Sequence, residues 1–232
     1  VIGIGMDYAE AEFPPERFWK AYRMAAAAGL HLTAHQSEDA PPRNIETCLD
    51  LLGCERVDHG YHVVESTEIM TRCRDEGVVF TCTPVSTAWV YFDDDFANHP
   101  LGRMREFGLK ISLDCDDPPM FKTDPTKDYI VAAEHLGFTV NDFRDCMING
   151  IDGSWLDEST KREMRLEWTR EFDELATLCR APVGLQRVDR DARLYLSFCG
   201  LLWHIAGSGQ PVIIAGLLSA LLDFFFDRAH EF

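Results

Sequence analysis

Short apolar segments alternate with helix-like segments along the first 180 residues, and this alternation constrains the fold more than any other feature. Five of the apolar segments have the length of buried β-strands. The predicted strands are Val1–Met6, His31–His35, Arg56–His59, Val78–Thr83 and Lys110–Leu113. Strands that alternate with helices at this spacing indicate βαβ units and a parallel sheet. We therefore predict an α/β fold.

Proline and glycine residues mark where the intervening helices begin and end. The pair Pro14-Pro15 opens a predicted helix that runs through Ala28, and Gly29 follows it. An order with proline first and glycine last is typical of helix boundaries. The other predicted helices span residues 41–52, 65–76, 101–107, 128–136, 140–148 and 158–178.

Five strands are too few for a closed TIM (β/α)₈ barrel, which has eight strands and about 250 residues. We predict that residues 1–178 form the C-terminal portion of such a barrel, with about its last five strands. The chain opens on an apolar strand at Val1 and not on methionine. We therefore expect it to be a fragment or an incomplete gene product.

Residues 179–232 differ from the α/β part and form a predicted apolar helical tail. Two apolar runs, Leu194–Ala206 and Val212–Phe226, flank a linker that contains glycine and proline. Each run is shorter than the ~20 residues that a membrane-spanning helix requires. We interpret the runs as a helical hairpin packed on the barrel. A hairpin that dips into a membrane and a non-native extension, such as a shifted reading frame, are the alternatives.

The chain is strongly acidic, with 22 Lys and Arg residues against 39 Asp and Glu residues and a formal net charge of -17. Such a surface repels nucleic-acid phosphates and anionic lipid headgroups, so we expect neither a nucleic acid nor a membrane as partner. The eight cysteines include no C-x-x-C pair. Cysteines scattered in this way are typical of reduced thiols, and we expect a cytoplasmic protein.

Ionisable side chains follow several predicted strands at their carboxyl ends, which is where the active sites of barrels form. His35 and Glu38 follow the second strand, and His59 ends the third. The fifth strand leads into Asp114-Cys115-Asp116-Asp117-Pro118. Imidazole and carboxylate groups bind zinc and transfer protons, so their convergence on one rim predicts a zinc hydrolase.

Three of these segments resemble motifs of the adenosine/adenine deaminase family, within the metal-dependent hydrolase superfamily. They are Thr33-Ala34-His35-Gln36-Ser37-Glu38, Asp58-His59-Gly60-Tyr61 and Ser112-Leu113-Asp114-Cys115-Asp116-Asp117-Pro118, in the order and spacing of the family. The resemblance covers about residues 1–178. The proline-rich connection at Pro41-Pro42 is more similar to the adenine-acting branch than to the nucleoside-acting branch.

The resemblance implies a zinc-dependent aminohydrolase that removes the 6-amino group of adenine, or of adenosine, and releases ammonia. His35 and Asp116 would be ligands of Zn²⁺. His59 would hold or deprotonate the attacking water, and Glu38 would deliver a proton to purine N1. The partner that this family membership implies is a small purine.

The resemblance also implies substrate contacts, with Asp117 hydrogen-bonded to purine N7 and Gly5 beside the substrate. Some positions depart from the family pattern. Gln36-Ser37 stands where Ala-Gly is usual, and Asp114 and Thr87 stand where asparagine is common. In addition, the chain has no H-x-H motif, which supplies two further zinc ligands in the family.

Two other interpretations stay open from the sequence alone. A truncated barrel that lacks the H-x-H ligands would be catalytically inactive and would act only through self-association as a homo-oligomer, because exposed strand edges pair readily. An amidohydrolase-like metal enzyme with a different amine substrate is the second interpretation, since a fold does not fix a substrate.

Overall fold

The computed structural model describes residues 1–92 and 95–180, so both predicted apolar runs of the tail lie outside the described residues. The strands are β1 (Gly3–Ile4), β2 (His31–Leu32), β3 (His35–Gln36), β4 (Arg56–His59), β5 (Val79–Cys82) and β6 (Lys110–Leu113). The α-helices are α1 (Trp19–Ala27), α2 (Arg43–Thr47), α3 (Thr67–Glu76), α4 (Pro84–Tyr91), α5 (Leu101–Phe107), α6 (Pro118–Phe121), α7 (Pro125–His135), α8 (Val140–Gly153) and α9 (Glu158–Arg180). Among these described helices, none has the length and apolar character needed to cross a membrane.

Backbone hydrogen bonds join the strands into one parallel array in chain order. β3, β4, β5 and β6 form a four-stranded parallel sheet, and β1 pairs in parallel with β2. The N–H groups of Thr33 and His35 donate to the carbonyl groups of Ile4 and Met6 at 3.0 and 2.9 Å. These bonds link the two sheets, so the five predicted strand segments lie side by side. The predicted α/β fold with parallel strands is therefore confirmed.

The predicted strand His31–His35 is divided into the two short strands β2 and β3. The carbonyl groups of Leu32 and Ala34 accept hydrogen bonds from the N–H groups of Glu55 and Asp58. A step of two residues, from Leu32 to Ala34, is thus matched by a step of three residues on the neighbouring strand, from Glu55 to Asp58. An extra residue on one strand interrupts a regular ladder, as in a β-bulge, and this explains the break.

Other element boundaries also differ from the sequence prediction. α4 was not predicted, because its eight residues include no charged side chain to mark the exposed face of an amphipathic helix. β1 covers only Gly3–Ile4 of the predicted strand Val1–Met6. α7 begins at Pro125, three residues before its predicted start, and α8 extends to Gly153.

Helices cover one face of the sheet and bury the main hydrophobic core with it. Val57, Phe80 and Ile111 are neighbours across β4, β5 and β6, and each is at most 2% exposed. Met104 of α5 and Phe143 of α8 belong to the same buried cluster. Burial of side chains of this size contributes about 1.5–3 kcal/mol each, so this core fixes the sheet against the helices.

Gly60, the residue after β4, allows a test of how tightly the strand end packs. Its φ is +72°, and a Cβ atom at this position would lie 2.5 Å from Cε1 of Phe80. Gly29 is a matched control, since its φ is +73° and no atom lies within 4 Å of an added Cβ. We expect Gly29→Ala to lower the free energy of unfolding by about 1 kcal/mol, the cost of left-handed backbone. Gly60→Ala should lower it by at least ~2 kcal/mol more, because the methyl group overlaps the Phe80 ring.

Urea denaturation followed by circular dichroism measures both losses. Equal losses in the two variants would show that the Phe80 ring does not pack against Gly60.

Candidate active site

The carboxyl ends of β3 and β4 bring two histidines and a glutamate together. Nε2 of His59 lies 3.2 Å from Nδ1 of His35, and the two rings meet edge to face. Nδ1 of His59 lies 3.5 Å from Oε1 of Glu38. The possible ligand atoms of these three residues all lie within 4.8 Å of one another, which no other trio of His, Cys, Asp or Glu achieves in the described part of the chain.

Two residues of the rim have left-handed backbone conformations, which cost a non-glycine residue about 1–2 kcal/mol each. They are His59, with a φ of 68°, and Ser37, with a φ of 57°. The Ser37 conformation explains why glycine would suit this position, where the sequence departs from the family pattern. Its side chain is buried and donates a hydrogen bond to the carbonyl group of Pro41 at 3.0 Å. Non-glycine residues in this region are characteristic of functional sites.

His59 is neutral at physiological pH. Burial, followed by the proximity of His35, lowers the pKa of its imidazole to about 3. Its side chain is only 4% exposed, and Oγ1 of Thr83 lies 3.3 Å from its Nδ1. A neutral imidazole has one unprotonated nitrogen, so His59 can accept a hydrogen bond at this position.

Glu38 is poised to exchange a proton near neutral pH. Burial raises the pKa of its carboxyl group to about 7, and the negative charges of Asp116, Asp39 and Asp7 act in the same direction. The Thr87 hydroxyl opposes this shift by donating a hydrogen bond to Oε1 at 2.9 Å. A carboxyl group with a pKa near the working pH is suited to general acid catalysis.

Glu10 fixes the backbone beside this acid. Its Oε2 accepts a hydrogen bond of 3.1 Å from the N–H group of Glu38. Glu10 is buried, and this burial, together with the charge of Asp39, raises the pKa of its carboxyl group to about 8. A protonated Glu10 keeps one carbonyl-type oxygen to accept this bond without adding charge to the rim.

The other predicted site residues lie on the same rim but outside the trio. Asp116 is half-buried, accepts a 3.1 Å hydrogen bond from the N–H group of Asp117, and is near enough to raise the pKa of Glu38. Asp117 is exposed at the start of α6. Gly5 is also exposed, beyond the end of β1. The structure therefore brings His35, Glu38 and His59 into direct proximity, with Asp116 near them.

The donor atoms at this edge are of the kinds that zinc binds. His35 offers an imidazole nitrogen, and Asp116 and Asp7 offer carboxylate oxygens. Oδ1 of Asp7 lies 3.5 Å from Nδ1 of His35. The residues present thus fit part of a zinc centre, although the predicted pair His35 and Asp116 supplies only two of the four ligands of a tetrahedral ion.

Thr83 and Thr87, whose hydroxyl groups lie beside the imidazole and the acid, have no role predicted from the sequence. Thr83, Ser86 and Thr87 follow β5 and are all buried, and the Ser86 hydroxyl donates to Thr83. The Tyr61 hydroxyl accepts a 2.7 Å hydrogen bond from the N–H group of Thr83. Hydroxyl residues within an otherwise apolar segment were the available signal, because a buried hydroxyl requires a partner.

Known proteins resemble this chain over most of its described part. An adenine deaminase from Schizosaccharomyces pombe is 32% identical over 185 residues, which are 77% of this chain and 50% of that protein. The crystal structure of an adenine deaminase from Arthrobacter aurescens aligns with a TM-score of 0.71 at 33% identity, covering 75% of this chain and 53% of the other. An amidohydrolase from Burkholderia ambifaria with bound zinc aligns with a TM-score of 0.73 at 44% identity, covering 77% and 50%.

The chain spans about half the length of the curated relatives that it matches. Its likeness to these solved structures confirms the predicted partial barrel fold. The sequence model of the adenosine deaminase family matches residues 1–169. The chain therefore belongs to the adenosine deaminase family.

Proposed function

We propose that this chain carries part of the active site of a zinc-dependent adenine deaminase. The reaction is the hydrolysis of adenine at C6, in which adenine and water give hypoxanthine and ammonia. The observation that carries the proposal is the placement of a carboxyl group with a pKa of about 7, Glu38, beside the neutral imidazole of His59. The adenine deaminases among the relatives support the free base over the nucleoside as substrate.

Glu38 transfers the proton, and His59 holds the attacking water. A neutral purine is a poor electrophile, and Glu38 in its protonated form donates a proton to ring nitrogen N1, which makes C6 more electrophilic. The neutral imidazole of His59 accepts a hydrogen bond from the water that attacks C6. Of the two protons of this water, one leaves with the amino group as ammonia and the other returns to Glu38, which is largely shielded from solvent.

His35 and Asp116 would hold the zinc ion. A zinc ion at this position would lower the pKa of a water molecule bound to it to near neutrality. The zinc-containing amidohydrolase at 44% identity supports this metal. Because His35 and Asp116 provide only two ligand atoms, the proposed zinc ion would need further ligands besides these two residues.

The substrate contacts and the cellular setting form the rest of the proposal. Asp117 shares a hydrogen bond with purine N7, and Gly5 leaves room for the ring. The acidic rim favours a small uncharged purine over a nucleic acid. Buried free thiols such as Cys48 and Cys82 support a reducing compartment, for which we propose the cytoplasm. We place this activity in residues 1–178 and assign none of it to residues 179–232.

Conversion of adenine to hypoxanthine, followed by ultraviolet absorbance with zinc supplied, tests the proposal directly. The assay is run in parallel with adenosine, which would give inosine, and on both this chain and the full-length gene product. Turnover of adenine well above that of adenosine is expected. A zinc-loaded full-length protein that deaminates neither compound would refute the proposed function.

Replacement of Glu38 by glutamine removes the acid but keeps the size and one acceptor oxygen of the side chain. We expect Glu38→Gln to lower kcat by roughly 10²–10⁴-fold, the usual contribution of a general acid. Zinc content, measured by atomic emission, should not change. Glu65→Gln is the control, because Glu65 is an exposed glutamate paired with His62 and should keep full activity. Loss of zinc from Glu38→Gln would mean that Glu38 is a ligand and not the acid.

The neighbouring aspartates allow the metal and substrate roles to be separated. We expect Asp116→Ala to reduce the zinc bound per chain, because it removes a ligand. Asp117→Ala should keep its zinc and lower kcat/KM by about 10-fold or more, because it removes a hydrogen bond to the substrate. If Asp117→Ala loses zinc and Asp116→Ala keeps it, Asp117 is the zinc ligand and Asp116 is the residue that contacts the substrate.

A further inference from the structure

We propose that Thr87 and Tyr61 are positioning residues, which hold the carboxyl group of Glu38 through a buried chain of hydrogen bonds without touching the substrate. This inference rests on the proposed function for its catalytic meaning. The sequence gives Thr87 only as a departure from the family pattern and gives Tyr61 no role.

The contact to Glu38 is direct and buried. Oγ1 of Thr87 donates to Oε1 of Glu38 at 2.9 Å, and Thr87 is 0% exposed. The same carboxyl oxygen lies 3.5 Å from Nδ1 of His59. Oε1 therefore accepts the hydrogen bond of Thr87, so Oε2 is the oxygen left to exchange a proton with a substrate.

Tyr61 forms the second link of the chain. Its hydroxyl accepts a 2.7 Å hydrogen bond from the N–H group of Thr83, and the carbonyl group of Thr83 accepts a 3.2 Å hydrogen bond from the N–H group of Thr87. Tyr61 is 0% exposed, and its ring packs edge to face on His99 with centroids 5.0 Å apart. A fully buried tyrosine held in this way has little freedom to move its hydroxyl.

The order of donors and acceptors defines the chain. The Thr87 hydroxyl donates its proton to Glu38, and the N–H group of Thr87 donates to the carbonyl group of Thr83. The N–H group of Thr83 donates in turn to the Tyr61 hydroxyl. The chain therefore runs from Tyr61 through the backbone of Thr83 and Thr87 to Oε1 of Glu38.

The helix that carries Thr87 is itself anchored. The N–H group of Val85, near the start of α4, donates to Oδ1 of Asp128 at 2.9 Å, and Asp128 is 0% exposed. Oδ2 of Asp128 accepts a 2.7 Å hydrogen bond from the Thr123 hydroxyl. Thr87 therefore acts from a fixed support, and its side chain defines where the Glu38 carboxyl group lies.

Substitutions of nearly equal size test the chain of bonds. Thr87→Val replaces the hydroxyl with a methyl group, and we expect kcat for adenine to fall roughly 10–100-fold, the range for loss of a hydrogen bond to a charged or reacting group. KM should change less than threefold, because Thr87 does not contact the substrate. Thr87→Ser restores the hydroxyl and should recover most of kcat.

Tyr61→Phe keeps the ring and should lower kcat less than Thr87→Val does. The double variant Tyr61→Phe/Thr87→Val should be no worse than Thr87→Val alone, because both changes break one chain. The proposal would be overturned if the losses in kcat of the two single variants multiply in the double variant. It would also be overturned if Thr87→Ser is as slow as Thr87→Val.

Crystal structures of Thr87→Val and Thr87→Ser provide a measurement that does not depend on activity. We expect the Glu38 carboxyl group to turn away in Thr87→Val and to keep its place in Thr87→Ser. An unmoved carboxyl group together with an unchanged kcat would overturn the proposal. If the wild-type protein deaminates no purine but Glu38 moves in Thr87→Val, the proposed function fails and the positioning role of Thr87 stands.

Discussion

The continuous parallel ladder from Ile4 to Leu113 is the constraint on which the site depends. All parallel strands have their carboxyl ends at the same edge of the sheet, so the strand pairing alone brings residues that are far apart in sequence together there. His35 and His59 are 24 residues apart, yet their ring nitrogens lie 3.2 Å from each other. The buried core on the helical face, centred on Phe80, holds this edge in place.

Unbalanced negative charge is the second property of the rim. The charges that raise the pKa of Glu38 most strongly belong to Asp116, Asp39 and Asp7, and all of them are acidic. Such a cluster stabilises positive charge next to it. In the proposed reaction, that charge appears on the purine when N1 is protonated by Glu38. The same carboxylates that keep Glu38 protonated would therefore also favour the product of its proton transfer.

The sequence was sufficient to predict the parallel strands and the convergence of His35, Glu38 and His59, because both follow from local patterns. Apolar runs mark strands, and polar residues just after them mark the rim. The division of the second strand was not predictable, because the extra residue lies opposite it, on the neighbouring strand near Glu55. The hydrogen bonds of Thr87 were equally hidden, since a threonine in an apolar segment shows nothing of its partner 49 residues away.

Asp58 shows how the register of the sheet and the chemistry of the rim are coupled. Its two carboxylate oxygens accept hydrogen bonds from Thr81 on one neighbouring strand and from Thr33 on the other side. A charged group below the rim is thus satisfied by hydroxyl groups from both neighbours, which a shifted strand could not provide. Because successive residues of a strand face opposite sides, a slip of one residue would take this carboxylate away from both hydroxyl groups and would turn the adjacent His59 away from His35. The hydrogen bonds of Asp58 therefore penalise the very error in register that would separate the two imidazoles.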